Sequence, residues 1–116
     1  MNKFMFIYRG STEAPEMSPE EMQADMEAWI GWVQAAMQAG WMINGGEALL
    51  PDNAAVVRQK DVTDGPLIES KEVVGGFSII QAEDLKAAIE LSRGCPAIPQ
   101  GGSVEIRALM DIPEAG

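Results

Sequence analysis

Ten consecutive residues, Thr63-Asp64-Gly65-Pro66-Leu67-Ile68-Glu69-Ser70-Lys71-Glu72, hold three carboxylates and a lysine beside a turn signal. Asp can bond its own downstream backbone, Gly permits positive φ and Pro fixes φ, so Asp64-Gly65-Pro66 reads first as a turn with Asp64 as its cap. If Leu67 to Lys71 is extended, Glu69 and Lys71 share a face two residues apart. A carboxylate beside an ammonium tunes the charge state of both and suits proton transfer or the binding of a polar small molecule. The plainer reading is a surface ion pair, worth at most about 1 kcal/mol.

A second set is Tyr8, Arg9, Glu105 and Arg107. Tyr8 offers a hydroxyl and Arg9 a planar fork for carboxylates. A cross-strand pair between Arg9 and Glu105 is the favoured reading, since such pairs are common in sheets. Glu47, after Gly45-Gly46, can reach a cavity at a sheet edge or lie in solvent. Cys95 precedes Pro96 without a base nearby in sequence, and reads as a buried structural thiol. Histidine is absent, which removes the side chain titrating nearest neutral pH, histidine-based triads and histidine-ligated zinc. No metal set stands out, and Glu13 and Glu16 read as solvated loop acids. The glycine-rich pieces lack the strand-to-helix setting of a phosphate loop. No metal and no cofactor is expected.

The elements that must position these residues are legible from pattern. Lys3 to Arg9 is a strand with Phe4, Phe6 and Tyr8 on one face and Met5, Ile7 and Arg9 on the other. Both faces are largely apolar, as in strands covered on both sides. Ser18-Pro19-Glu20-Glu21 is a capping box with proline at the first helical position, and Gly40 closes a helix ending near Ala39. From Met22, turning 100° per residue, Met26, Trp29, Ile30, Val33, Ala36 and Met37 fall within about 80°, with Trp32 at the opposite edge. That stripe is expected to be core.

Trp41 to Gly45 reads as a short strand, and Ala54 to Gln59 with Val62-Thr63 as a small hairpin. Lys71 to Gln81 is a strand whose Gly75-Gly76 marks a bulge or a close approach. Ala82 to Ser92 reads as a helix and Ser103 to Met110 as a last strand. Residues 1–112 are expected to form one domain and residues 113–116 a flexible tail.

The chain has 116 residues, 47% of them apolar, and a net charge of −10. One domain with a single core is expected. A surface this acidic repels phosphates, so neither direct nucleic acid binding nor attachment to anionic membranes is expected. The apolar run Phe4 to Tyr8 is too short for a signal-peptide core or a membrane span, and one cysteine allows no intrachain disulfide; a cytoplasmic location is the expectation. The element order predicts an α+β, ferredoxin-like βαββαβ antiparallel sheet with an inserted hairpin and both helices on one face. The other face, apolar along the first strand, calls for a homodimer in which two sheets meet, with a polar-lined ligand cavity between sheet and partner.

Lys3-Phe4-Met5-Phe6-Ile7-Tyr8, Ser18-Pro19-Glu20-Glu21, Gly45-Gly46-Glu47-Ala48-Leu49, Thr63-Asp64-Gly65-Pro66, Glu69-Ser70-Lys71-Glu72, Gly75-Gly76-Phe77, Cys95-Pro96 and Val104-Glu105-Ile106-Arg107, in this order, resemble the YCII-related, DGPF-type domain family. Leu67 stands where that pattern has phenylalanine, which removes an aromatic wall. The resemblance implies a ferredoxin-like fold paired as a dimeric α/β barrel. Some broader relatives look like users of a histidine–aspartate pair in lyase-like chemistry, including dehalogenation, which a chain without histidine cannot copy. It also implies, for some members, a link to alternative sigma factors.

Two readings follow. In one the chain is a small-molecule enzyme: Asp64 or Glu69 accepts a proton, Lys71 holds an anionic group, and Tyr8, Arg9 and Glu47 bind the ligand. In the other it is a non-catalytic binding or regulatory module, with the same pocket sensing a metabolite or the acidic surface meeting a basic protein partner.

Overall fold

A computed structural model describes residues 1–112; the expected tail, residues 113–116, lies outside the described residues. In chain order the elements are β1 (Asn2–Ser11), α1 (Pro19–Ala39), β2 (Met42–Asn44), β3 (Ala54–Val57), β4 (Val62–Gly65), β5 (Ile68–Glu69), β6 (Glu72–Ala82), α2 (Leu85–Ser92) and β7 (Ser103–Ala108). The main sheet runs β2-β6-β1-β7 with every neighbouring pair antiparallel, and β5 adds a short rung beside β6. β3 and β4 pair only with each other, as a separate ribbon. An antiparallel sheet with two helices is an α+β arrangement compatible with the expected ferredoxin-like class.

The central strand carries the fold's asymmetry. Phe4, Phe6 and Tyr8 are buried, together with Ile80, Ser78 and Gly76 opposite them on β6. The rings of Phe6 and Tyr8 meet Trp29, Trp32 and Trp41 in a chain of edge-to-face and tilted contacts, with Tyr8 and Trp29 centroids 4.8 Å apart. That geometry matches the electropositive rim of one ring to the electronegative face of the next. Met5, Ile7, Phe77 and Ile79 lie on the other face, which neither helix covers, and are only half-buried.

α1 begins as the capping box requires: the Ser18 hydroxyl accepts from the Glu21 amide and the Glu21 carboxylate from the Ser18 amide, both at 3.1 Å. It ends at Gly40, whose φ of 87° is left-handed. Its expected core face needs correction. Met22, Met26, Ile30 and Met37 are exposed, and the sheet is met instead by Trp29, Trp32, Val33 and Ala36. On the helical wheel the packed side runs from about −80° to +20° of Met22, and the exposed apolar residues from about 0° to +80°. The bulky indoles turn the helix, because the space above Tyr8 and Phe6 must hold both Trp29 and Trp32.

The loop after β4 also departs from expectation. Asp64 does not cap a turn: it pairs with Ala55 inside the ribbon, and the strand ends at Gly65 before a cis peptide to Pro66. Nor is Leu67 to Lys71 one extended run. Ser70 and Lys71 have φ of 52° and 60° and form the two-residue turn between β5 and β6, with Glu69 opposite Glu72. A left-handed pair matches the twist of the flanking strands, so hairpin closure outweighs the extended tendency of the segment. α2 starts later than expected, because Asp84 caps it by accepting from the Ala87 amide at 2.8 Å. Leu85 and Ile89 are exposed, while Ala88 and Ser92 are buried. No helix among the described residues is long and apolar enough to cross a membrane.

Candidate functional site

Glycines open a cavity between α1 and the sheet. At the β1–β6 register Tyr8 faces Gly76 and Arg9 faces Val74, so Gly75 is the extra residue of a bulge. Gly76 lets the Glu47-Ala48 segment lie against β6: a Cβ there would come within 2.8 Å of the Glu47 carbonyl. Gly46 has φ of 74°, and a Cβ on it would overlap the Phe77 carbonyl. The close approach expected at Gly75-Gly76 is therefore real, and it holds the Gly45-Gly46-Glu47 segment in the lining of this cavity of about 560 Å³. This is within the ordinary size range of ligand sites.

Trp29, Val33, Met22 and Met26 of α1 supply the apolar wall, and Tyr8 and Ser78 the sheet floor. The floor carries a buried hydrogen-bond chain. The Ser78 hydroxyl donates to the Gly45 carbonyl at 2.9 Å, and the Tyr8 hydroxyl donates to Ser78 at 2.8 Å. The direction is forced, because a carbonyl can only accept. Burial pushes the Tyr8 phenol above its ordinary range, against the smaller lowering effect of Ser78. Tyr8 thus stays protonated near neutrality, with its proton committed to Ser78.

Of the six expected site residues, Tyr8, Arg9 and Glu47 border this cavity. Arg9 points its guanidinium away from it: alternation places that side chain with Glu105 on the opposite face, where it donates to the carboxylate at 2.7 and 3.1 Å. The favoured cross-strand pair is present, and Arg107 adds a longer contact of 3.5 Å to the same carboxylate. Hydrogen bonding from Arg9 holds Glu105 below the usual carboxylate range, with the charges of Arg9 and Arg107 acting the same way.

Asp64, Glu69 and Lys71 are exposed and outside the cavity lining, Asp64 on the ribbon and the other two at the β5–β6 hairpin. Lys71 reaches Glu13 at 2.9 Å, so this loop acid has a partner. The Lys71 carbonyl accepts from the Thr12 amide and hydroxyl, tying the hairpin tip to the loop after β1. Leu67 is also exposed and does not wall the cavity. Cys95 is buried, and burial pushes its thiol up to about 11.

Two cavity residues escaped the sequence reading. Asp25 borders the cavity from α1, and its Oδ1 is sealed from solvent with no hydrogen-bond partner. Its signal was spacing: Asp25, Trp29, Trp32 and Ala36 recur at helical intervals, placing one acid on the packed face. Ser78 had a similar signal, a polar residue in register with buried Gly76 and Ile80 on alternating β6.

A family model described as the YCII-related domain matches residues 3–113, nearly the whole chain. No curated protein matches the sequence.

Proposed function

The chain belongs to the YCII-related domain family, and from that premise we propose that it binds a small, largely apolar molecule in the cavity between α1 and the sheet. The observation that carries this reading is the cavity itself, an apolar chamber with a short buried polar chain at its floor. Apolar walls supply affinity and a few fixed polar groups supply orientation. For acid–base chemistry the available proton acceptors are Asp25 and Glu47, since Tyr8 keeps its proton. Cys95, buried and with its thiol pushed up, is a poor nucleophile at neutral pH. The chain pairs as a homodimer through the uncovered sheet face, where Met5, Ile7, Phe77 and Ile79 form an apolar patch that water does not favour.

A thermal-shift screen of small molecules tests the binding site, because a bound ligand raises the melting temperature. Ala48 stands opposite Gly76 at the cavity, so Ala48→Trp should abolish the shifts while Lys71→Ala keeps them. Shifts lost in Lys71→Ala and kept in Ala48→Trp would move the site to the hairpin tip and overturn the proposal.

A further inference from the structure

The charged and hydroxyl groups of the cavity have a one-sided hydrogen-bonding character, beside the neutral donors of the Gln100 amide and the Trp29 indole. The hydroxyl protons of Tyr8 and Ser78 both point along the chain that ends at the Gly45 carbonyl, which leaves the Tyr8 oxygen as an acceptor. Asp25 and Glu47 are carboxylates, and neither forms an ion pair among the described residues. Arg9 is the single basic residue at the lining, and its guanidinium is held by Glu105 on the far face of the sheet. Asp25 is also undersupplied with donors, as its Oδ1 has no partner. Beside these acceptors stand the rings of Tyr8 and Trp29, whose π-faces attract cations. The chain's net charge of −10 adds a long-range field of the same sign.

Resting on the cavity as the binding site, the geometry points to an organic cation as its ligand: an amine with an apolar or aromatic body. The ammonium would donate to Asp25, and the body would lie against Trp29 and the methionines of α1. An anion of the same shape would meet the like charge of Asp25 and Glu47, with only the neutral Gln100 amide and Trp29 indole as side-chain donors. This reverses the polarity of the pocket expected around Lys71, where an anionic group was to be held.

Three probes of nearly equal shape test the inference by isothermal titration: phenethylammonium, 2-phenylethanol and 3-phenylpropionate. The ammonium should bind about tenfold or more tighter than the alcohol, as a charge-assisted hydrogen bond and a cation–aromatic contact together allow. The carboxylate should bind weakest. Asp25→Asn should lower ammonium affinity to the level of the alcohol and leave the alcohol unchanged. Should Asp25→Asn fail to fold, salt dependence of the wild-type protein decides: added salt must weaken the ammonium and spare the alcohol. Equal binding of all three probes would overturn the cation preference and leave the cavity as a general apolar site. Binding of none would overturn both readings.

Discussion

Removing the Ser78 hydroxyl would strand two groups at once, the Gly45 carbonyl and the Tyr8 proton, in a region closed to water. Ser78→Ala should therefore cost about 2 kcal/mol, the penalty of unsatisfied buried polar groups. Tyr8→Phe removes only the outer donor, leaves the Ser78–Gly45 bond in place, and should cost about 1 kcal/mol. Urea unfolding followed by tryptophan fluorescence checks this order; a larger loss in Tyr8→Phe would mean that the hydroxyl chain runs differently. Glu105 makes a separate prediction. Its carboxyl is held low chiefly by the Arg9 hydrogen bond, so its contribution to stability is present above the unfolded value and fades as pH falls through the lowered folded one. An NMR titration should place Glu105 below the ordinary carboxylate range, and Arg9→Gln should return it there. An unchanged titration in Arg9→Gln would assign the shift to Arg107. These residue roles were unevenly legible. The Arg9–Glu105 pair follows from sheet register, whereas Asp25 and Ser78 could be found only by asking which polar residues fall on apolar faces.

The β5–β6 hairpin shows where reading elements from local signals runs out. Asp-Gly-Pro is a strong turn signal, yet the tight turn of this region forms at Ser70-Lys71, neither of which favours positive φ. Left-handed backbone costs about 1–2 kcal/mol per ordinary residue. Ser70→Asn with Lys71→Gly should remove much of that strain and stabilise the domain by about 1 kcal/mol, even after loss of the exposed Lys71–Glu13 pair. Chemical denaturation measures it; a decrease in stability would mean that Lys71 holds the tip through its side chain more firmly than an exposed pair should. α1 was legible at both ends, because caps are local chemistry and the capping box and Gly40 act through neighbouring backbone. Its rotation was not, because the packed face is decided by how Trp29 and Trp32 fit over Tyr8, a long-range contact. The ribbon of β3 and β4 follows from its β-leaning segments, but Asp64, which carries a turn-cap signal, is a paired residue.

At the scale of the molecule the sheet has two unlike faces, and the proposed function assigns a different task to each. Both helices and the cavity lie on the face of Phe4, Phe6 and Tyr8. From the sequence, the apolar first strand calls for cover and places a ligand cavity on the opposite face, between sheet and partner. The indole-driven turn of α1 leaves its side open enough for a cavity, so ligand binding and subunit pairing become separable. Ile7 stands at the middle of the uncovered face, opposite Phe77 on β6 and Glu105 on β7. A carboxylate there would sit against a partner's apolar sheet in a dimer, at a desolvation penalty of several kcal/mol, but close to water in a monomer. Ile7→Glu should therefore convert a protein of twice the chain mass into one of the chain mass in sedimentation, with its circular dichroism retained. If the cavity under α1 is the binding site, the monomeric variant should still show the ligand-induced melting shifts. Wild-type protein that sediments as a monomer at micromolar concentration would refute the pairing. Shifts that vanish with the dimer would return the ligand to the interface between the two sheets.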